Sequence, residues 1–466
     1  MPYEGEPSSA TAHQDFVRNP DISAFLKNCE FLAAPDGKEL DRLKSLFEPY
    51  ELGGNHHPVD HVLATDGSVY ESQIDPRLPS TRACYVKVSS VLIKMNEFRG
   101  LEDDASGLID PFRVARLKES NNVLTIALPS SNLRRKGEKS PRSTFRRELE
   151  NFFHSARTRF NAEDETTSLA ATYASLASLR KDHHGPAGTV RVHKCPNPDC
   201  GHRDHYVPVD KPYACPACSE KIFMTDSLRL WEEVDDFKSS IEPSSRFMTY
   251  LEHLLPIHYL RFLLIRSPSI LARTAFFVDN PLAIFGNAAW LHACIMRFLH
   301  QMRQSLASRG DGPPLIIGIQ KTGQLVDFGS LIDRTLTPGT CFAVTDAFRQ
   351  QYTGSAQSKN GFGSESYYGQ DFYVKTRSGK LFVISLPYPL EAKNVTGLRF
   401  DEEKSKRSNY SDLERACALI EEVETDLWQN ALAPIALAHR YTAISLVPSG
   451  RILDILGKSL VQPSQS

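Results

Sequence analysis

Four cysteines in two short pairs constrain this chain more than any other feature. Cys195-Pro-Asn-Pro-Asp-Cys200 and Cys215-Pro-Ala-Cys218 are separated by fourteen residues, and each pair sits in a Pro-containing turn. Two such turns aim four thiolates at one point, which closes a tetrahedral zinc site with no open position. The spacing therefore predicts a zinc ribbon over residues 191–224, structural rather than catalytic, inserted into a larger body. His193, His202 and His205 are surplus to four sulfurs and read as surface or supporting residues. Cys29, Cys84, Cys294, Cys341 and Cys417 lie singly, and such an odd, scattered set argues against a disulfide framework.

The body around the ribbon reads as α/β. Residues 1–55 look polar and helical, after which HVLATDGSVYESQ reads as a buried strand running into an Asp-Gly turn. Further strands are expected at residues 85–95 (YVKVSSVLIKM) and in NNVLTIALP. Helical spacing follows at residues 143–160, 165–180, 247–264 and 291–306, interleaved with the strands TAFFV and PLIIGIQ. Residues 354–379 are rich in Gly, Ser, Tyr and Asn, which predicts a loop or irregular hairpin ahead of the strand KLFVISLPYP. Ser411 and Glu414 match a capping box opening a helix to about residue 429, and TAISLV reads as a last strand. The expected division is an N-terminal helical segment (1–55), a first part of the core (56–190), the ribbon (191–224) and the rest of the core (225–466).

Of the 466 side chains, 41% are hydrophobic and 24% charged, the balance of an ordinary soluble globular protein. No apolar run approaches the roughly 20 residues that span a bilayer, and the start lacks a basic-then-apolar leader, so a cytoplasmic location is the default expectation. A formal net charge of -2 excludes global attraction to nucleic acid, so any such binding needs a local patch. Residues 133–147 supply one, with seven Lys or Arg against one Glu; Arg134, Arg135, Lys136, Arg142, Arg146 and Arg147 are the candidate phosphate contacts. Gly457-Lys458-Ser459 lacks the upstream glycine of a P-loop, so no ATP-driven motor is expected.

Five residues stand out as candidates for chemistry. Asp66 sits in Ala-Thr-Asp-Gly-Ser at the end of a strand, where a carboxylate can project beside free backbone amides. Asp279 ends the wholly apolar run Ala275-Phe-Phe-Val-Asp, a typical place for a ligand in an open α/β sheet. Glu252 interrupts a strongly apolar helix, which is costly unless the carboxylate is paired or holds a cation. Lys321 ends the strand LIIGIQ in a turn, suited to a phosphate or to neutralising nearby acids, and His439 lies in a late helix.

The order of these elements resembles the NurA nuclease family, in particular bacterial members with a zinc ribbon, over most of residues 55–460. That resemblance implies an RNase H-like mixed sheet with flanking helices and Mn²⁺-dependent (or Mg²⁺-dependent) hydrolysis of DNA. It also implies metal ligands at Asp66, Glu252, Asp279 and His439, with Lys321 beside them and structural Zn²⁺ on Cys195, Cys200, Cys215 and Cys218. Asn280 stands where the family most often has Gly, and Glu148 or Glu150 compete with Glu252 for the third carboxylate. A HerA-like hexameric ATPase partner, a homodimer around DNA, and a role in DNA end processing or anti-phage defence come with the family. The alternative is a catalytically silent DNA-binding scaffold whose ribbon and basic patch grip the duplex; an RNA-cutting enzyme on the same core differs only in substrate.

Overall fold

The computed structural model describes residues 14–29, 35–52, 58–75, 77–100, 120–354, 361–394, 399–425, 431–444 and residue 453. In chain order the strands are β1 (Glu48–Pro49), β2 (His61–Asp75), β3 (Leu78–Lys94), β4 (Ser120–Pro129), β5 (Thr189–Lys194), β6 (Arg203–Pro208), β7 (Tyr213–Ala214), β8 (Lys221–Ile222), β9 (Thr274–Val278), β10 (Leu315–Gln320), β11 (Thr340–Ala343), β12 (Gly369–Lys375), β13 (Leu381–Pro387), β14 (Glu424–Thr425) and β15 (Ala431–Leu432), the last two pairing only with each other. Nine of them form one mixed sheet in the order β1-β11-β12-β13-β10-β9-β2-β3-β4. The pairs β2–β9 and β9–β10 are parallel, and every other neighbour in the sheet is antiparallel.

Both faces of the sheet are covered, which explains its continuous apolar runs. Phe276 and Val278 of β9 pack into one core, together with α1 (Pro141–His154), α2 (Leu169–Ser178), α3 (Ile241–Arg266) and α4 (Leu291–Ala307). Ala275 and Phe277 pack into the other, against α5 (Leu413–Val423) and α6 (Ala433–Thr442). The strand TAFFV therefore has no polar side, and all five of its residues are buried. Helix α1 opens with Ser140 and Ser143 exchanging capping bonds and a proline in its first turn, which fixes its start within the basic stretch of residues 133–147.

The ribbon comprises two hairpins, β5 with β6 and β7 with β8. Val190, Val192, Val207 and Ile222 bury their side chains in the same core as α1 and α3, so the ribbon is packed onto the body.

Several expectations change. Asp66-Gly67 is no turn: β2 runs unbroken through it, and β3 pairs residue for residue from Lys94 opposite His61 to Arg82 opposite Gln73. The stretch expected as a loop around residue 370 contains β12, buried throughout, between β11 and β13. The helix expected from Ser411 starts at Leu413, with Asp412 at its cap and no side-chain capping bond, and it ends at Val423. Residues 165–180 divide into a short 3₁₀ turn at Glu165–Thr167 and the helix Leu169–Ser178. The N-terminal segment includes helices at Pro20–Lys27 and Gly37–Leu46, and its β1 joins the sheet edge at β11. In TAISLV, Thr442 belongs to α6, Ala443 and Ile444 form no strand, and the rest lies outside the described residues, as does Gly457-Lys458-Ser459. No helix among the described residues is long and apolar enough to cross a membrane.

Candidate active site

Three neighbouring strands bring three charged side chains to one place. Thr65 of β2 lies opposite Val278 of β9, and Val278 opposite Gly318 of β10. One step further puts Asp66 beside Asp279, where the parallel pairing ends. Alternation along each strand sends Asp66, Asp279 and Lys321 to the face that carries Ala64, Phe277 and Ile319, which is the face covered by α6. The cluster thus sits at the carboxyl ends of β9 and β10, where open α/β sheets place their ligands.

The carboxyl groups of the two aspartates lie close enough to influence one another's charge, and each has a partner of its own. His439 Nδ1 of α6 lies 3.1 Å from Asp66 Oδ2, and the Thr442 hydroxyl, one turn along the same helix, donates to the same oxygen. Lys321 Nζ lies 2.6 Å from Asp279 Oδ2. Burial alone would raise the Asp66 carboxyl, but bonds from His439 and Thr442, together with the neighbouring Asp279, hold it below the usual range. Asp279 goes the other way, pushed up to about 6 by burial and the Asp66 charge against the pull of Lys321. His439 is raised by its bond to Asp66.

Glu252 approaches from the opposite layer, on α3, and is only 2% exposed. Burial, then the charges of Asp66 and Asp279, push its carboxyl well above the ordinary value. It accepts a bond from the Gly67 backbone N–H and one of 2.6 Å from Asn280 Nδ2. Gly67 makes this approach feasible: a Cβ there would lie 2.8 Å from Glu252 Oε1 and 2.6 Å from Met248 Cγ. The competing acids are engaged elsewhere, Glu148 with Arg135 at 2.7 Å and Glu150 with Thr225, so the third carboxylate at the cluster is Glu252. A cleft of about 660 Å³ opens beside Lys321 and His439, with Arg334 and Gln320 in its wall; a larger cavity, about 1260 Å³, shares no residue with this cluster.

Thr442, Gly67 and Asn280 were not singled out by sequence reasoning as supports of the carboxylates. Thr442 alone left a usable signal, since it follows His439 by three residues and so shares its helix face.

The four ribbon cysteines are brought together, their sulfurs all within 4.8 Å of one another, and none forms a disulfide. Cys195 Sγ lies 3.6 Å from Cys218 Sγ and Cys200 Sγ 3.7 Å from Cys215 Sγ. A tetrahedron with Zn–S bonds of about 2.3 Å has edges of about 3.8 Å, so the cage fits one such ion. Backbone N–H groups of Asn197, His202 and Glu220 point at Cys195, Cys200 and Cys218, which favours thiolates. His205 is not a surface residue: it is buried at 1% exposure next to Cys215.

The basic patch is largely committed to the protein itself. Arg146 is buried and forked onto Asp226 through two bonds of 2.8 Å, with Glu220 at 3.1 Å, so it faces no solvent for a phosphate. Arg142 donates to the Val234 carbonyl, Arg147 to Glu138, and Arg135 to Glu148, while Arg134 caps the Lys139 carbonyl. Arg134, Arg135 and Lys136 remain exposed.

No protein-family model matches this chain, and no curated protein does. Among solved structures it is similar to that of the NurA nuclease from Sulfolobus solfataricus, at 10% identity over 97% of this chain and 95% of that one, with a TM-score of 0.29. At so low an identity and TM-score, function must be read from the residues of the site.

Proposed function

We propose that this chain is a divalent-metal-dependent deoxyribonuclease on an RNase H-like core. The observation that carries the reading is the abutting pair of Asp66, within β2, and Asp279, just past the end of its parallel neighbour β9, with buried Glu252 behind them. Burial and mutual repulsion leave this cluster short of positive charge, which a bound cation relieves. All-carboxylate donors with one imidazole suit Mn²⁺ or Mg²⁺, so Asp66, Asp279 and Glu252 would hold the ion, with His439 as a further donor. Bound there, such ions supply charge stabilisation and a more acidic attacking water for phosphodiester hydrolysis. Lys321, already 2.6 Å from Asp279, is placed to take a phosphate oxygen from the adjoining cleft. Half-exposed His439 faces that cleft too, and its one remaining ring nitrogen either ligates the ion or, in place of that, holds a proton for the leaving oxygen.

The three antiparallel strands β2–β4, followed by β9 and β10 in parallel beside β2, support the RNase H-like assignment. The four-cysteine cage is proposed as a structural zinc site, on the fit of its edges and its N–H···S bonds. The order of motifs in the sequence further suggests a HerA-like hexameric ATPase partner, a homodimer, and work on DNA ends in the cytoplasm, in repair or in defence. Commitment of Arg142, Arg146 and Arg147 to protein partners weakens the scaffold alternative.

The deciding experiment incubates purified protein with linear single-stranded and duplex DNA in Mn²⁺, Mg²⁺ or EDTA, beside Asp66→Asn and Asp279→Asn. Metal-dependent cutting that disappears in both variants is expected. Undiminished cutting in either variant, or in EDTA, overturns the proposal.

A further inference from the structure

The ribbon holds a second set of ligands that the four-thiolate cage does not use. His202, His205 and Cys215 place a ring nitrogen, a ring nitrogen and a sulfur within 4.8 Å of one another, and Cys215 belongs to both sets. His202 Nδ1 lies 3.4 Å from His205 Nε2, with the rings tilted by 38°. That separation exceeds the roughly 2.7–3.2 Å of a good N–H hydrogen bond. It matches the edge of about 3.3 Å in a tetrahedron with Zn–N bonds of about 2.0–2.1 Å.

The two imidazoles are supported differently. His205 is buried on β6, opposite Val192, with the Tyr213 ring edge-on to its own at 5.9 Å between centroids, so packing fixes its orientation. The ring of His202 is exposed, yet its backbone is pinned to the first cysteine turn: its carbonyl accepts from Cys195 N at 3.1 Å and its N–H points at Cys200 Sγ. Charge favours an additional ion. Four thiolates around one divalent ion leave a formal excess of two negative charges, in a site where Cys195 and Cys215 are buried.

We propose that the ribbon binds a second zinc ion, held by His202, His205 and a Cys215 thiolate shared with the first. Three protein ligands leave a fourth position for water, so this ion is the more weakly held and the more exchangeable of the two. The inference rests on the four cysteines being a zinc site.

The test is metal content and Co²⁺ absorption of the full chain, carried out on the Asp66→Asn/Asp279→Asn background so that the carboxylate cluster does not contribute. Two zinc equivalents per chain are expected, the second released first by a mild chelator. His202→Ala and His205→Ala should each retain one equivalent. In the Co²⁺ titration, thiolate-to-cobalt absorption should change in two steps in the parent and in one step in each His variant. One equivalent with identical spectra in parent and His variants overturns the second site and leaves the first. One equivalent whose spectrum shifts in the His variants also overturns it, because a single ion is then choosing imidazole over thiolate. No retained zinc at all removes the four-thiolate reading and this inference together.

Discussion

Gly67→Ala tests whether the close approach of α3 to β2 is what sets Glu252. The added methyl would lie 2.6 Å from Met248 Cγ, 3.1 Å from its sulfur and 2.8 Å from Glu252 Oε1. Carbon contacts settle at about 3.5–4.0 Å, so both neighbours must retreat by roughly 0.7 Å or more. Met248 is flexible and can turn aside. Glu252 is buried and held by Asn280 and the Gly67 N–H, so it moves only by loosening those bonds or by shifting α3. Overpacking of this kind costs about 1–3 kcal/mol of stability. A misplacement near 1 Å at a reacting centre costs on the order of 100-fold in rate.

The assay pairs urea unfolding with metal-dependent DNA cleavage, and Met248→Ala separates the two effects. Removing Met248 Cγ and Sδ clears the nearest obstacle while leaving the methyl against Glu252. Gly67→Ala/Met248→Ala should therefore regain part of the lost stability and none of the lost activity. Full activity in Gly67→Ala, or its recovery on adding Met248→Ala, would refute the claim that the glycine serves Glu252.

Asp279→Asn should abolish cutting yet stabilise the metal-free protein at neutral pH by about 1–3 kcal/mol, because it removes a carboxylate that burial and Asp66 push up to about 6; a lower unfolding midpoint would contradict this. Arg146→Ala should destabilise by about 3–5 kcal/mol, since it leaves Asp226 buried without its partner, while the salt dependence of DNA binding stays as in the parent; a shallower salt slope in a stably folded variant would return Arg146 to the DNA interface. His258 is buried with Nδ1 accepting from Thr172 and Nε2 donating to Thr158, and burial pulls it from 6.5 down to about 4. Its unfolded form takes a proton first, so stability present above about pH 6.5 should fall by about 3 kcal/mol as pH drops towards 4. His258→Gln should make that slope shallower in urea midpoints measured between pH 7.5 and 4.5, with buried His253 and His292 still contributing to it, and an unchanged slope would exclude His258 as one of its sources.

What the sequence disclosed and what it concealed divide by the range of the interaction. The run TAFFV announced a strand buried on both faces, and the acids that end it or interrupt its neighbours announced a charged site, because each signal lies within a few residues. Asp66-Gly67 carries the composition of a turn, yet the pair lies within a long strand; the glycine answers to Met248 and Glu252, on a helix nearly two hundred residues away, and local pattern has no access to that. Arg146 sat in a cluster that looked like a patch because charges were counted along the chain. Its partners Asp226 and Glu220 lie 80 and 74 residues further on, and they convert a surface cation into a buried fork. The strand GQDFYVK was concealed for the same reason. Gln370, Asp371 and Lys375 break its apolar run, and all are buried; Asp371 is neutralised by Arg349, and Lys375 meets Asp333 at 2.7 Å. A buried charge with a distant partner reads, in one dimension, as a solvated loop. The same reasoning sets the weight given to Glu252, whose burial in an apolar helix was legible and whose purpose emerges only when Asp66 and Asp279 are seen to converge on it.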